Sequence, residues 1–145
     1  MDPYKHILVA LDLSNEAQQV AERGRDLADH YGAKLSFIHV VEPIIVDNSY
    51  DLMTSLPAEL DDSLQERAST ILSKISDQLN LGDVQQIVTL GSTRSEIFRI
   101  AQEQSMDLIV VGTHGRHGVG LLLGSTANAI LHGTPCDVHA VRIHR

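Results

Sequence analysis

The chain has 145 residues, 43% apolar and 21% charged, a balance that excludes a disordered segment and suits one globular domain around one core. Eleven basic residues against nineteen acidic ones leave a formal charge of −8, which repels a phosphate backbone and argues against a nucleic-acid partner. There is no tryptophan to stack single-stranded bases, the single Cys136 cannot staple its own chain, and no apolar run approaches the length of a membrane span.

The opening, MDPYKHILVALD, has too short an apolar run before Asp12 for a secretory leader, and with one thiol this gives the expectation of a cytoplasmic protein. His6 to Leu11 reads as a first strand. Asp12, Leu13, Ser14 and Asn15 form a turn with helix-capping side chains. Ala17, Val20, Ala21, Gly24, Leu27, Ala28 and Tyr31 recur at helical steps, and Gly32 marks the stop. Lys34 to Val41 is a second strand. Glu42 to Leu56 has no period and reads as a long loop, and Pro57 suits the first turn of a helix whose apolar face carries Leu60, Leu64, Ile71, Leu72, Ile75 and Leu79. The cluster Glu59, Asp61 and Asp62 fits the solvated start of that helix.

Val84 to Leu90 is a third strand. Thr93 and Glu96 have capping-box spacing before a short helix with Ile97, Ile100 and Ala101. Asp107 to Val111 is a fourth strand. A helix with Ala127, Ile130 and Leu131 stops at Gly133-Thr134-Pro135, and Asp137 to Ile143 is a fifth strand. Strand and helix alternate throughout, which predicts an α/β domain with a parallel sheet covered by helices on both faces.

Residues 112 to 126 read GTHGRHGVGLLLGST and hold Gly112, Gly115, Gly118, Gly120 and Gly124. Glycines between a buried strand and a helix let the backbone approach an anion and turn N–H groups toward it. Gly124, Ser125 and Thr126 add N–H groups and hydroxyls, and His114, Arg116 and His117 add donors from above. The segment is neither a Walker A loop nor GxGxxG, so spacing alone supports a phosphate but not ATP. Asp12 ends the first strand on the same sheet edge; it serves either a ribose or base, or the cap of the following helix. His114 and His117 make a weak metal pair without a fixed third ligand. His39 within its apolar strand reads as a packed or hydrogen-bonded histidine, and Cys136 as a packed thiol. No base or paired carboxylates mark a catalytic centre.

The start YKHILVALDLS and the ending GTHGRHGVGLLLGSTANAILHGTPCDVHAVR resemble the universal stress protein family, and the resemblance runs from Tyr4 to Arg142. Gly112 and Gly115 match the first glycine pair of its nucleotide-binding branch, and Gly124-Ser125 the closing Gly-Ser. The eight residues between Gly115 and Gly124 are one fewer than that branch usually carries. The resemblance implies an open five-stranded parallel sheet of order 3-2-1-4-5, of the adenine nucleotide alpha hydrolase-like kind. It implies that the backbone at Val40 or Val41 reads the adenine edge and that Asp12 meets the adenosine. Gly112 and Gly115 then pass the ribose and first phosphate, and Gly124, Ser125 and Thr126 hold the outer phosphates. Gly91-Ser92-Thr93 resembles a turn that faces the same crevice. The implied ligand is ATP, or ADP or AMP, with or without Mg²⁺, bound rather than rapidly turned over, in a stress-response homodimer joined through strand 137–143. A protein of this fold with an empty crevice, acting by interaction alone, and an adenylyl transferase are the competing expectations.

Overall fold

Strands and helices alternate from His6 to Val141 in a computed structural model that describes residues 3–43, 56–113 and 125–144. The strands are β1 (His6–Ala10), β2 (Lys34–Val41), β3 (Gln85–Leu90), β4 (Leu108–Gly112) and β5 (Asp137–Val141). The helices are α1 (Ala17–Tyr31), α2 (Leu56–Gln78), α3 (Thr93–Glu103) and α4 (Ser125–Leu131). All neighbouring strands pair in parallel, in the order β3-β2-β1-β4-β5. The expected fold class and strand order are therefore those of the protein.

The sheet divides the interior into two layers rather than one core. Successive strand residues point to opposite faces, so Ile7, Val9, Phe37, Leu108 and Val110 pack with α1 and α2. Leu8, Ile38, Ile109 and Val111 pack with Ile97, Ile100, Ala127 and Ile130 of α3 and α4. Ile7, Leu8 and Val9 are wholly buried, each stabilising the fold by roughly 1.5–3 kcal/mol relative to exposure. This central position is why β1 reads as an unbroken apolar run.

Helix α1 lies close to the sheet because its inner face is built from small residues. A side chain at Gly24 would collide with Val9 Cγ2. Gly32 ends the helix in the left-handed conformation, φ 66°, with its N–H bonded to Ala28 O, as its sequence position predicts. On α4, Arg94 takes the part of a cap: its guanidinium donates to Ala129 O and His132 O at 2.6–3.1 Å.

Several expectations are corrected in detail. The strand ends shift by one or two residues because pairing, not apolarity, ends a strand. Leu11 still donates to Ile38 O at 2.9 Å, outside β1 proper. Gly112 is not the start of a loop but the last residue of β4, paired with Val141. The Thr93–Glu96 capping box does not form: Ser92 is the N-cap, without a side-chain bond, and the Thr93 hydroxyl donates instead to Glu42 Oε1 at 2.7 Å. Tyr31, Leu60 and Leu131, assigned to buried faces by period, are exposed. Most of the expected loop from Glu42 to Leu56, namely residues 44–55, lies outside the described residues, as do His114 and His117.

Candidate functional site

A cleft opens where β1 and β4 part at their carboxyl ends. From β1 the chain leaves to α1 on one face, whereas α3 and α4 cover the other. This is the switch point of an open parallel sheet, where ligands have room between diverging connections. The cleft spans about 630 Å³ of space including its solvent-open mouth.

Asp12, Ser14, Glu16 and Val20 form one wall, Thr93, Ile97 and Thr126 the other, with Val40, His39, Gly112 and Ile143 between them. Asp12 does not cap α1, whose N-cap is Glu16. Its Oδ1 accepts the Ser14 N–H at 3.0 Å and the Ser14 hydroxyl, a local turn that fixes the carboxylate at the cleft. Gly112 owes part of its smallness to packing: a Cβ there would lie 3.0 Å from Val20 and 3.1 Å from Ile143. Thr113 N–H pairs with Val141 O at 2.8 Å, and its hydroxyl accepts the Ile143 N–H at 3.3 Å, holding Ile143 beside Gly112.

Val40 and Val41 separate. In a parallel strand a residue turns its N–H and C=O to the same side, and neighbours alternate. Ile38 gives its carbonyl to Leu11, on the β1 side; Val41 gives its carbonyl to Gly91 N–H at 3.0 Å, on the β3 side. Val40 therefore faces the β1 side beyond the point where β1 has ended, and it lines the cleft, whereas Val41 does not. Of the two expected positions, Val40 is the one whose backbone edge faces the cleft. Thr126, in the first turn of α4, reaches the cleft, and Ser125 is that helix's first residue. Gly115, Arg116 and Gly124 lie outside the described residues.

The structure adds residues that pattern alone did not single out. Glu16, Val20 and Ile143 complete the walls, and Glu42 holds Thr93 at the rim. These contacts join segments far apart in sequence, so no local motif announces them. Among the described lining residues there are two carboxylates, Asp12 and Glu16, and neither Lys nor Arg. His39, expected to be a hydrogen-bonded histidine, donates from Nδ1 to Leu11 O at 2.7 Å.

The opposite, amino edge of the sheet is a closed polar network. Asp107 accepts the N–H groups of Lys5 and His6 at 2.9–3.2 Å, fixing the entry to β1. His6 Nε2 lies 2.9 Å from Ser36 Oγ, which donates to Gln85 Oε1 at 2.8 Å. Burial lowers the pKa of His6 and pushes the Cys136 thiol up to about 11, which disfavours its thiolate. Among the described residues no cluster of three metal-ligating side chains occurs, and no helix is long and apolar enough to cross a membrane.

The comparisons agree with this architecture. The model of the universal stress protein family matches residues 3–142. Universal stress protein A homolog 2 of Coxiella burnetii is 44% identical over 99% of the chain and 98% of its own length; homolog 1 of the same organism is 37% identical over 95% and 96%. Among solved structures, the universal stress protein UspA from Lactobacillus plantarum aligns at a TM-score of 0.85 with 23% identity, covering 97% of this chain and 99% of its own. A universal stress protein crystallised in complex with cAMP aligns at 0.67 with 22% identity, covering 97% and 98%. Matched from end to end by the family model and by these relatives, the chain belongs to the universal stress protein family.

Proposed function

We propose that the protein binds an adenine nucleotide, ATP or else ADP or AMP, in the switch-point cleft, and that it acts in the stress response as a cytoplasmic homodimer whose main act is binding rather than turnover. The observation that carries this reading is the free backbone edge of Val40 beside the Asp12 carboxylate at the mouth of an apolar slot. An adenine presents an adjacent donor and acceptor, which one residue's C=O and N–H complement. Ile38, Ile97 and Val111 supply apolar surface for the ring, and Asp12 an acceptor for the ribose hydroxyls. Gly112 would let the ribose and first phosphate pass, with Gly115 and Arg116 beside them. Gly124, Ser125 and Thr126 would receive the outer phosphates. The cAMP held by a structural relative is itself an adenine ribonucleotide, which favours the same chemistry here.

A second reading has one observation in its favour. The Asp12 carboxylate in the lining repels a polyphosphate, so an empty crevice on an interaction protein fits it as well. Calorimetric titration with ATP, ADP, AMP and GTP, with and without Mg²⁺, separates the two, supported by mass spectrometry of any nucleotide released from the purified protein. Adenine recognition through Val40 requires ATP to bind more tightly than GTP, by roughly 1–3 kcal/mol. Equal affinities, or no binding by any of them, refute the adenine reading.

A further inference from the structure

We propose that His39 is a positioning residue that keeps the Val40 edge open. The parallel ladder between β1 and β2 runs regularly up to Leu11 N–H on Ile38 O at 2.9 Å. The next bond of such a ladder is Val40 N–H on Leu11 O, two residues further along β2. That bond is not made, and among the described residues the Val40 N–H has no protein partner. The Leu11 carbonyl instead accepts from His39 Nδ1 at 2.7 Å. A carbonyl only accepts, so Nδ1 carries the proton. The imidazole thus draws Leu11 out of the ladder toward the α1 face, and the strand edge that would have been closed by β1 stays exposed to the cleft. Immediately after this diversion comes the Asp12–Ser14 turn, so the same bond sets the path along which Asp12 reaches the cleft wall. The sequence separation between His39 and Leu11 puts this device beyond any local motif.

The value of an open Val40 edge to a ligand rests on the adenine reading above, whereas the diversion of Leu11 is testable without a ligand. Scalar coupling across hydrogen bonds, measured by NMR on the isotope-labelled full chain, reports whether Val40 N–H is bonded to the Leu11 carbonyl. The expected result is no coupling in the wild type, coupling in His39→Leu, and none in His39→Asn, whose side-chain N–H stands near the place of Nδ1–H. His39→Phe, closer in size to the imidazole, replaces His39→Leu if that variant does not fold. Titration with ATP should then show a loss of roughly three- to tenfold in His39→Leu, the worth of one hydrogen bond, and recovery in His39→Asn. Coupling already present in the wild type, or still absent in both His39→Leu and His39→Phe, overturns the proposal, as does unchanged ATP affinity of His39→Leu beside a wild type that binds. A wild type without affinity for any nucleotide sinks the adenine reading alone, and the couplings still decide on His39.

Discussion

Gly24→Ala tests how tightly α1 is set against the sheet, and through it how the cleft wall is placed. In an exposed helix this exchange stabilises by roughly 0.8–1 kcal/mol, because alanine loses less backbone entropy than glycine. Here the new Cβ falls within 3.0 Å of Val9 Cγ2, a separation that carbon atoms do not tolerate. Val9 is wholly buried at the centre of the sheet and cannot turn aside. The helix must therefore withdraw by roughly an ångström to restore ordinary contact. Overpacking costs about 1–3 kcal/mol, and with a buried Val9 that cannot yield it falls in the upper part of that range, about 2–3 kcal/mol, which exceeds the helical gain. A net loss of about 1–2 kcal/mol follows, or a fall of roughly 2–8 °C in Tm for a chain of this size. Val20 sits one turn before Gly24 and lines the cleft, so ligand affinity should drop with stability. Urea denaturation of Gly24→Ala, Val9→Ala and the double variant forms a cycle in which trimming Val9 relieves the clash, giving clear non-additivity. A Gly24→Ala protein as stable as the wild type, or a strictly additive cycle, would refute the reasoning.

Three further outcomes are expected. Burial lowers the pKa of His6, and likewise of His139, below the ordinary 6.5, so the unfolded chain takes up these protons first as pH falls. Stability should be level above about pH 6.5 and decline below it, and His6→Gln should show a shallower decline between pH 7 and 5 in urea midpoints; an identical slope would remove His6 as a cause. The β5 edge is proposed to join two copies: Val141 turns its carbonyl to Thr113 on the β4 side, so Ala140 presents its N–H outward, and Ala140→Pro should convert a dimer to a monomer in light scattering. A wild-type monomer at all concentrations would rule out the dimer, and a dimeric Ala140→Pro protein would move it to another surface. Gly115→Val should weaken ATP binding about tenfold or more without unfolding, since a displaced phosphate forfeits at least one charged hydrogen bond worth roughly 1.5–3 kcal/mol; undiminished binding would place the phosphate elsewhere.

The order of elements was readable because the central strands are short apolar runs and three of the four helices have a clear stop, as at Gly32. Asp12 and Gly112 were readable as sharing one sheet edge because parallel strands deliver their carboxyl ends there; that they meet in one crevice followed only from the strand order the family resemblance implied. The choice between Val40 and Val41 was not readable: it depends on which side each residue faces, and that is set by where β1 ends in space. The packing role of Gly112 depends on Val20 and Ile143, which come from different elements. Thr93 looked like a cap because its spacing to Glu96 was right, yet Glu42, distant in the chain, takes its hydroxyl. Glu96 meanwhile pairs with Arg99 at 2.8 Å. Local pattern foresaw the elements, and tertiary competition for side chains decided the site.

The strand order also has a meaning in time. β1 pairs on one side with β2, the next strand made, and on the other with β4, which begins at Leu108. At a synthesis rate of about 5–20 residues per second, β1 waits several seconds with one edge unpaired while its first partner is already available. The seam between β1 and β4 is thus a junction between an early half, β1 to β3, and a late half, β4 and β5. The cleft lies on that seam. Asp12 and Val40 stand in the early half, but a nascent chain completes the cleft around them only when the last third has been delivered.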